Sequence, residues 1–108
     1  MDVQLKRGLL EICVLAALRQ GDSYGYRIIK DLEPYIAVSE STLYPILRRL
    51  ESASCLTVYN MEHSGRLRKY YRLTAVGRRR IQDFTGEWQQ VVRMAQFIIG
   101  ERTENGNA

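Results

Sequence analysis

The 108-residue sequence predicts a mainly α chain with one small β-hairpin: three helices, the hairpin, and a further helix towards the C-terminus. Three observations lead there. Apolar residues recur at helical spacing in four segments. Two short β-rich runs, Leu56-Thr57-Val58-Tyr59 and Lys69-Tyr70-Tyr71-Arg72-Leu73, flank a stretch holding Ser64 and Gly65 of a turn. Charge is also unevenly spread. Residues 41–80 carry nine Lys/Arg and two acids, a net of +7 against +4 for the whole chain, while residues 81–108 net −2.

The first helix holds Leu9 to Leu18, apolar almost all round, which suits a central element covered on several sides. Gly21 reads as its stop, and Asp22 or Ser23 as the cap of the next helix, which could accept from free N–H groups. That second helix, about Tyr24–Tyr35, sets Tyr24, Ile28, Leu32 and Tyr35 at helical spacing and ends near Pro34. Gly25 inside it costs about 1 kcal/mol relative to Ala, so close packing against a neighbour is expected there. In the third helix, capped by Ser39, Leu43, Ile46, Leu47 and Leu50 form one apolar stripe. The opposite face carries Ser41, Tyr44, Pro45, Arg48 and Ser52, with Thr42 and Arg49 beside them. Pro45 forfeits a bond to the Ser41 carbonyl and should bend the helix.

In the hairpin, Leu56, Val58, Tyr71 and Leu73 can share one face, and residues 60–68 form the connecting loop. Arg66, Arg68 and Lys69 make its tip and return strand basic. Three helices followed by a basic-tipped hairpin describe a winged helix-turn-helix, with helix three for the major groove and the wing for the DNA backbone or minor groove. The candidate contact residues are therefore Ser41, Thr42, Tyr44, Pro45, Arg48, Arg49, Arg66, Arg68 and Lys69, since hydroxyls and guanidiniums bond base edges and phosphates.

The last helix, capped by Thr74, spaces Ile81, Phe84, Trp88, Val91, Ala95 and Ile98 as a seam of a-and-d type. Val92, Met94, Phe97 and Ile99 widen its apolar surface. Pairing with a second copy covers such a strip, and two-fold symmetry matches two half-sites on an inverted repeat. Trp88 is expected to pack that seam. A sharper reading opens a cavity there, where Trp88 with Val92 takes a planar hydrophobic effector by ring stacking. The domain expectation is 1–73 for the winged helix, 74–102 for the dimerisation helix and 103–108 for a disordered tail.

Other classes fit less well. His63 stands alone in the expected loop and reads as a surface residue, and no nucleophile–base pair or metal-ligand cluster accompanies it, so neither an enzyme, a cofactor nor a metal is expected. Cys13 and Cys55 lack C-x-x-C spacing and read as buried reduced thiols. No apolar run nears the ~20 residues of a membrane span, and no signal peptide opens the chain, which points to the cytoplasm. A winged helix used only for protein contact is the alternative, and would lack salt-dependent duplex binding.

Three stretches resemble the PadR family of bacterial transcriptional regulators: Asp22-Ser23-Tyr24-Gly25-Tyr26-Arg27-Ile28-Ile29-Lys30, Ser41 to Glu51 with its Tyr44-Pro45 pair, and Gly65 to Gly77. The likeness covers most of residues 5–77. It implies a dimeric repressor whose operator binding is relieved by a small effector, in a compact subgroup with a single terminal helix, where a tryptophan in that helix binds planar hydrophobic compounds. Two residues depart from the pattern. Ser54 stands where the family usually has Gly, and Leu67 where it often has Pro.

Overall fold

A computed structural model of the protein describes residues 1–101, so the expected tail at 103–108 lies outside it. The order is α1 (Val3–Ala17), α2 (Gly25–Leu32), α3 (Glu40–Ser52), β1 (Leu56–His63), β2 (Arg66–Leu73) and α4 (Ala75–Ile99). Mainly α with one antiparallel hairpin, this is the expected architecture. No helix among the described residues is long and apolar enough to cross a membrane.

α1 starts earlier than its apolar run, because the Asp2 carboxylate accepts from the N–H groups of Gln4 and Leu5, both at 3.1 Å. Its second half is the central element: Leu10, Val14 and Leu15 are buried, and α2, α3 and α4 all pack on this helix. The helix ends at Ala17, and Gly21 follows only after a turn.

α2 corrects the expected capping. Its N-cap is Tyr24, whose side chain makes no cap bond. Ser23 pairs instead with Tyr71 as a bridge on the hairpin edge, by N–H···O bonds of 3.1 and 2.8 Å. The backbone there is extended, which turns Asp22 towards the wing rather than the helix. The helix also stops at Leu32, short of Tyr35: Glu33 keeps helical backbone (φ −49°, ψ −41°), but Pro34 has no N–H with which to continue the ladder. Ile28 and Leu32 enter the core; Tyr35 is exposed. Gly25 does meet close packing, for a methyl there would overlap the Tyr44 hydroxyl.

α3 behaves as its stripe requires. Ser39 accepts from the N–H of Thr42, and Leu43, Ile46, Leu47 and Leu50 are all buried. The helix runs through Pro45. It closes on Ser54 in the left-handed conformation, φ 62°, with Ser54 N–H bonded to the Glu51 carbonyl at 2.9 Å and Cys55 N–H to that of Leu50 at 2.8 Å. Both bonds of a Schellman motif are therefore made, although serine holds the place suited to glycine.

The hairpin is longer than its β-rich runs. Pairing continues from Leu56↔Leu73 to His63↔Arg66, so most of the expected loop is strand. Only Ser64 and Gly65 turn, at φ 54° and 79°, the two positive values of a type I′ connection that suits strand twist. The Leu56, Val58, Tyr71, Leu73 face packs on the helices as expected.

α4 begins at Thr74, which accepts from Gly77 N–H at 3.1 Å and donates to the Ser54 carbonyl at 2.6 Å. It runs 25 residues to a left-handed Gly100, uninterrupted at Gly86. At 1.5 Å per residue that is about 37 Å. The molecule measures 65 × 26 × 21 Å with a radius of gyration of 17.0 Å, well above the roughly 13 Å of a compact 100-residue domain. The length is that of α4 leaving the winged body.

Candidate nucleic-acid interface

The polar face of α3 is open to solvent: Ser41, Thr42 and Arg48 are exposed, with Tyr44 and Pro45 half-buried. Tyr44 rests on Gly25 and so seats α3 against the start of α2. Beside it lies Tyr71, whose hydroxyl is pushed up in pKa by burial first and then by Tyr44 and Glu51, with Arg48 opposing. One cleft of about 480 Å³ joins these parts, bounded by Tyr24, Gly25 and Tyr26 of α2's entry, Tyr44 of α3, and Leu67, Arg68 and Lys69 of the wing. The third helix and the wing thus open onto the same side.

The wing's basic residues are divided by the pleat. Arg66 and Arg68 alternate with Tyr70 and Arg72 on one face, whereas Lys69 shares the other with Leu67 and Tyr71. Arg66 is exposed at the tip opposite His63. Arg68 sits 4.0 Å above the Tyr24 ring. Tyr24 meets Tyr70 edge-on at 5.5 Å, Tyr70 stacks with Tyr59 at 5.7 Å, and Arg72 covers Tyr59 at 5.1 Å. This row of rings and guanidiniums fixes the wing to the entry of α2. Asp22 closes it, accepting from the Tyr59 hydroxyl at 2.7 Å and from Arg72 at 3.1 Å. The Tyr59 bond, ahead of the opposing effect of burial and with Arg72 adding, holds the Asp22 carboxyl below its ordinary pKa. Reading the sequence assigned no role to Tyr24, Tyr59, Tyr70 or Asp22 in supporting the wing. The one signal for it was aromatic and basic residues alternating along Tyr70-Tyr71-Arg72.

Two further placements were not foreseen. Lys6 and Arg7 of α1 come beside Ser41, Thr42 and Arg49 along a second cleft of about 480 Å³. Arg49 itself, ranked by sequence with the contact residues, donates to Glu11 of α1 at 3.1 Å. Arg80 of α4 bonds the other oxygen of the same carboxylate. Burial pushes the Glu11 carboxyl up, but hydrogen bonds from Arg80 and Arg49, with their charges, outweigh it and hold the pKa below 4.5. Among the described residues no cluster of His, Cys, Asp and Glu could hold a metal. Cys13 and Cys55 are free thiols.

Along α4 the open apolar row begins one step later than the expected seam. Ile81, 8% exposed, belongs to the chain's own core. Phe84 stacks on Trp88 at 5.8 Å, and beyond them Trp88 (41%), Val91 (39%) and Ile98 (80%) stand exposed, with Ala95 half-buried.

The model of the transcriptional regulator PadR-like family matches residues 14–83, from the last turn of α1 through the wing to the first turns of α4. The chain belongs to the PadR-like family. Solved structures agree with its fold. A protein from Streptococcus mutans UA159 is 40% identical, with a TM-score of 0.76 over 87% of this chain and 90% of that one. A PadR-like transcription factor from Bacteroides fragilis is 33% identical, with 0.78 over 88% and 94%. A PadR family regulator from Eggerthella lenta DSM 2243 is 33% identical, with 0.81 over 91% and 88%. This PadR-like chain is accordingly a DNA-binding transcriptional regulator with a winged helix-turn-helix, and not an enzyme.

Proposed function

We propose that the protein is a homodimeric repressor that binds an inverted-repeat operator and is released by a planar hydrophobic effector. The observation that carries this reading is the shared opening of α3 and the wing onto one cleft. Ser41, Thr42, Pro45 and Arg48 present groups to base edges, and Tyr44 seats their helix while its hydroxyl lines the cleft. Arg66, Arg68 and Lys69 bind backbone phosphates on either side of the wing. Phe84, Trp88, Val91, Ala95 and Ile98 of two copies meet along α4, which aligns two third helices with two half-sites. Trp88, stacked on Phe84 and 41% exposed, takes the effector's ring, with Val92 as apolar floor.

Titration of duplex DNA by fluorescence anisotropy tests the assignment, using the region flanking the protein's own coding sequence and a random duplex. Arg66→Ala should weaken binding to both and reduce the log–log salt slope by about 0.9 for each phosphate that the variant leaves unneutralised. Arg48→Ala should instead reduce discrimination between them. Equal, uniform weakening in the two variants would show the groove and wing roles to be wrong. Quenching of Trp88 emission by planar aromatic compounds, accompanied by release of DNA, is the expected effector response.

A further inference from the structure

Glu11 is the one carboxylate of α1's buried half, with its side chain 13% exposed, and it serves two other helices at once. Oε1 accepts from Arg80 at the base of α4, and Oε2 accepts from Arg49 Nε on α3. Arg80 alone, which also reaches Cys55 Sγ at 3.9 Å, would neutralise the buried charge. The second oxygen is given to Arg49. That guanidinium stands on the flank of α3, roughly 70° round from the centre of its open face at 100° per residue. It lines two hollows bordering that face, one with Pro45, Arg48 and Ser52, the other with Lys6, Arg7 and Thr42. An untethered arginine there would reach the phosphates at the groove's edge, which are the same in every sequence.

We propose that Glu11 limits sequence-independent DNA affinity: by holding Arg49 against α1 it withholds a cation from phosphate contact, while Arg80 anchors the same carboxylate to α4. This rests on the DNA-binding reading above. Arg48, the next residue, has no carboxylate partner among the described residues, so the recognition helix offers one free guanidinium and keeps one tied. A contact made only with phosphate strengthens every site by the same factor, so the tether lowers affinity for operator and random duplex alike and reduces the salt dependence of both.

The experiment measures affinity for a random duplex against salt concentration, for the full-length parent, Glu11→Gln, Arg49→Ala and the double variant, with helix content checked by circular dichroism. Glu11→Gln should bind random duplex more tightly, with a log–log slope steeper by roughly 1.8, about 0.9 for each guanidinium of a dimer. Arg49→Ala alone should leave the slope unchanged, and added to Glu11→Gln should restore the parent value. A parent-like slope for Glu11→Gln overturns the proposal, as does a steeper slope that Arg49→Ala fails to reverse. Should Glu11→Gln not fold, Arg49→Ala decides alone: an unchanged slope supports the tether, and a shallower one puts Arg49 on phosphate already and ends it. A parent with no salt-dependent duplex binding removes the DNA-binding reading itself, and this proposal with it.

Discussion

Ser54 carries a left-handed backbone that the helix ending demands, and a side chain with a Cβ is disfavoured there. The two carbonyls it helps to satisfy, and the bond its own carbonyl accepts from Thr74, make the conformation obligatory. Ser54→Gly should therefore stabilise the fold by about 1 kcal/mol, read as a higher urea midpoint with an unchanged m-value. Glu11 gives a pH signature at the same scale. Its folded pKa lies below the ordinary 4.5, so the stability it contributes is complete above that value and is lost as pH falls through the folded one. Glu11→Gln should be less stable than the parent at neutral pH, and the gap should close below pH 4.5. A constant gap across an acid titration of urea midpoints would contradict this sign. Neither role is written in the sequence. Serine is common after helices, and a glutamate in an apolar run does not disclose which arginines, 38 and 69 residues away, will reach it.

At the level of elements, the junction of wing and α4 is closely packed at Gly77. A methyl on Gly77 would overlap the Cys55 carbonyl oxygen and Leu73, and backbone cannot step aside as a flexible side chain does. Gly77→Ala should cost about 1–3 kcal/mol despite alanine's better helix propensity. Gly86, with nothing within 4 Å, is the control on the same helix. Gly86→Ala should gain roughly 0.5–1 kcal/mol, so thermal midpoints of the two variants should move in opposite directions. The hairpin shows what periodicity misses. Asn60 to Arg68 is mostly polar, with Met61 and Leu67 its only apolar side chains and one on each face of the pleat, so no alternation marks it as strand; the Ser64-Gly65 turn and cross-strand hydrogen bonds extend the pairing regardless. The third helix was legible because one of its faces is wholly buried and its period is strict.

For the whole molecule, the elongated form leaves α4's apolar row without cover in a single chain. The proposed pairing of this row in a dimer predicts that Val91→Asp, which would set like charges against each other in an apolar seam, gives a folded monomer. Sedimentation of that variant should show half the parent mass and circular dichroism an unchanged helix content. Operator binding should fall with it, because two half-sites need two linked copies. A Val91→Asp protein that still sediments as a dimer would place the interface elsewhere.

By itself the sequence determined the element types, the buried stripe of α3, the caps at Ser39 and Thr74, and the concentration of charge beside one helix and one hairpin. Each of these depends on neighbours within a turn or a strand pair, where spacing and residue type are sufficient physical information. Tertiary structure alone decided that Asp22 braces the wing instead of capping α2, that Ile81 joins the core, that Lys69 parts from Arg66 and Arg68, and that Arg49 is tied to Glu11. These are outcomes of long-range competition. A charged or aromatic side chain takes whichever partner folding brings within hydrogen-bonding or van der Waals reach, and its own sequence surroundings do not specify which one that will be.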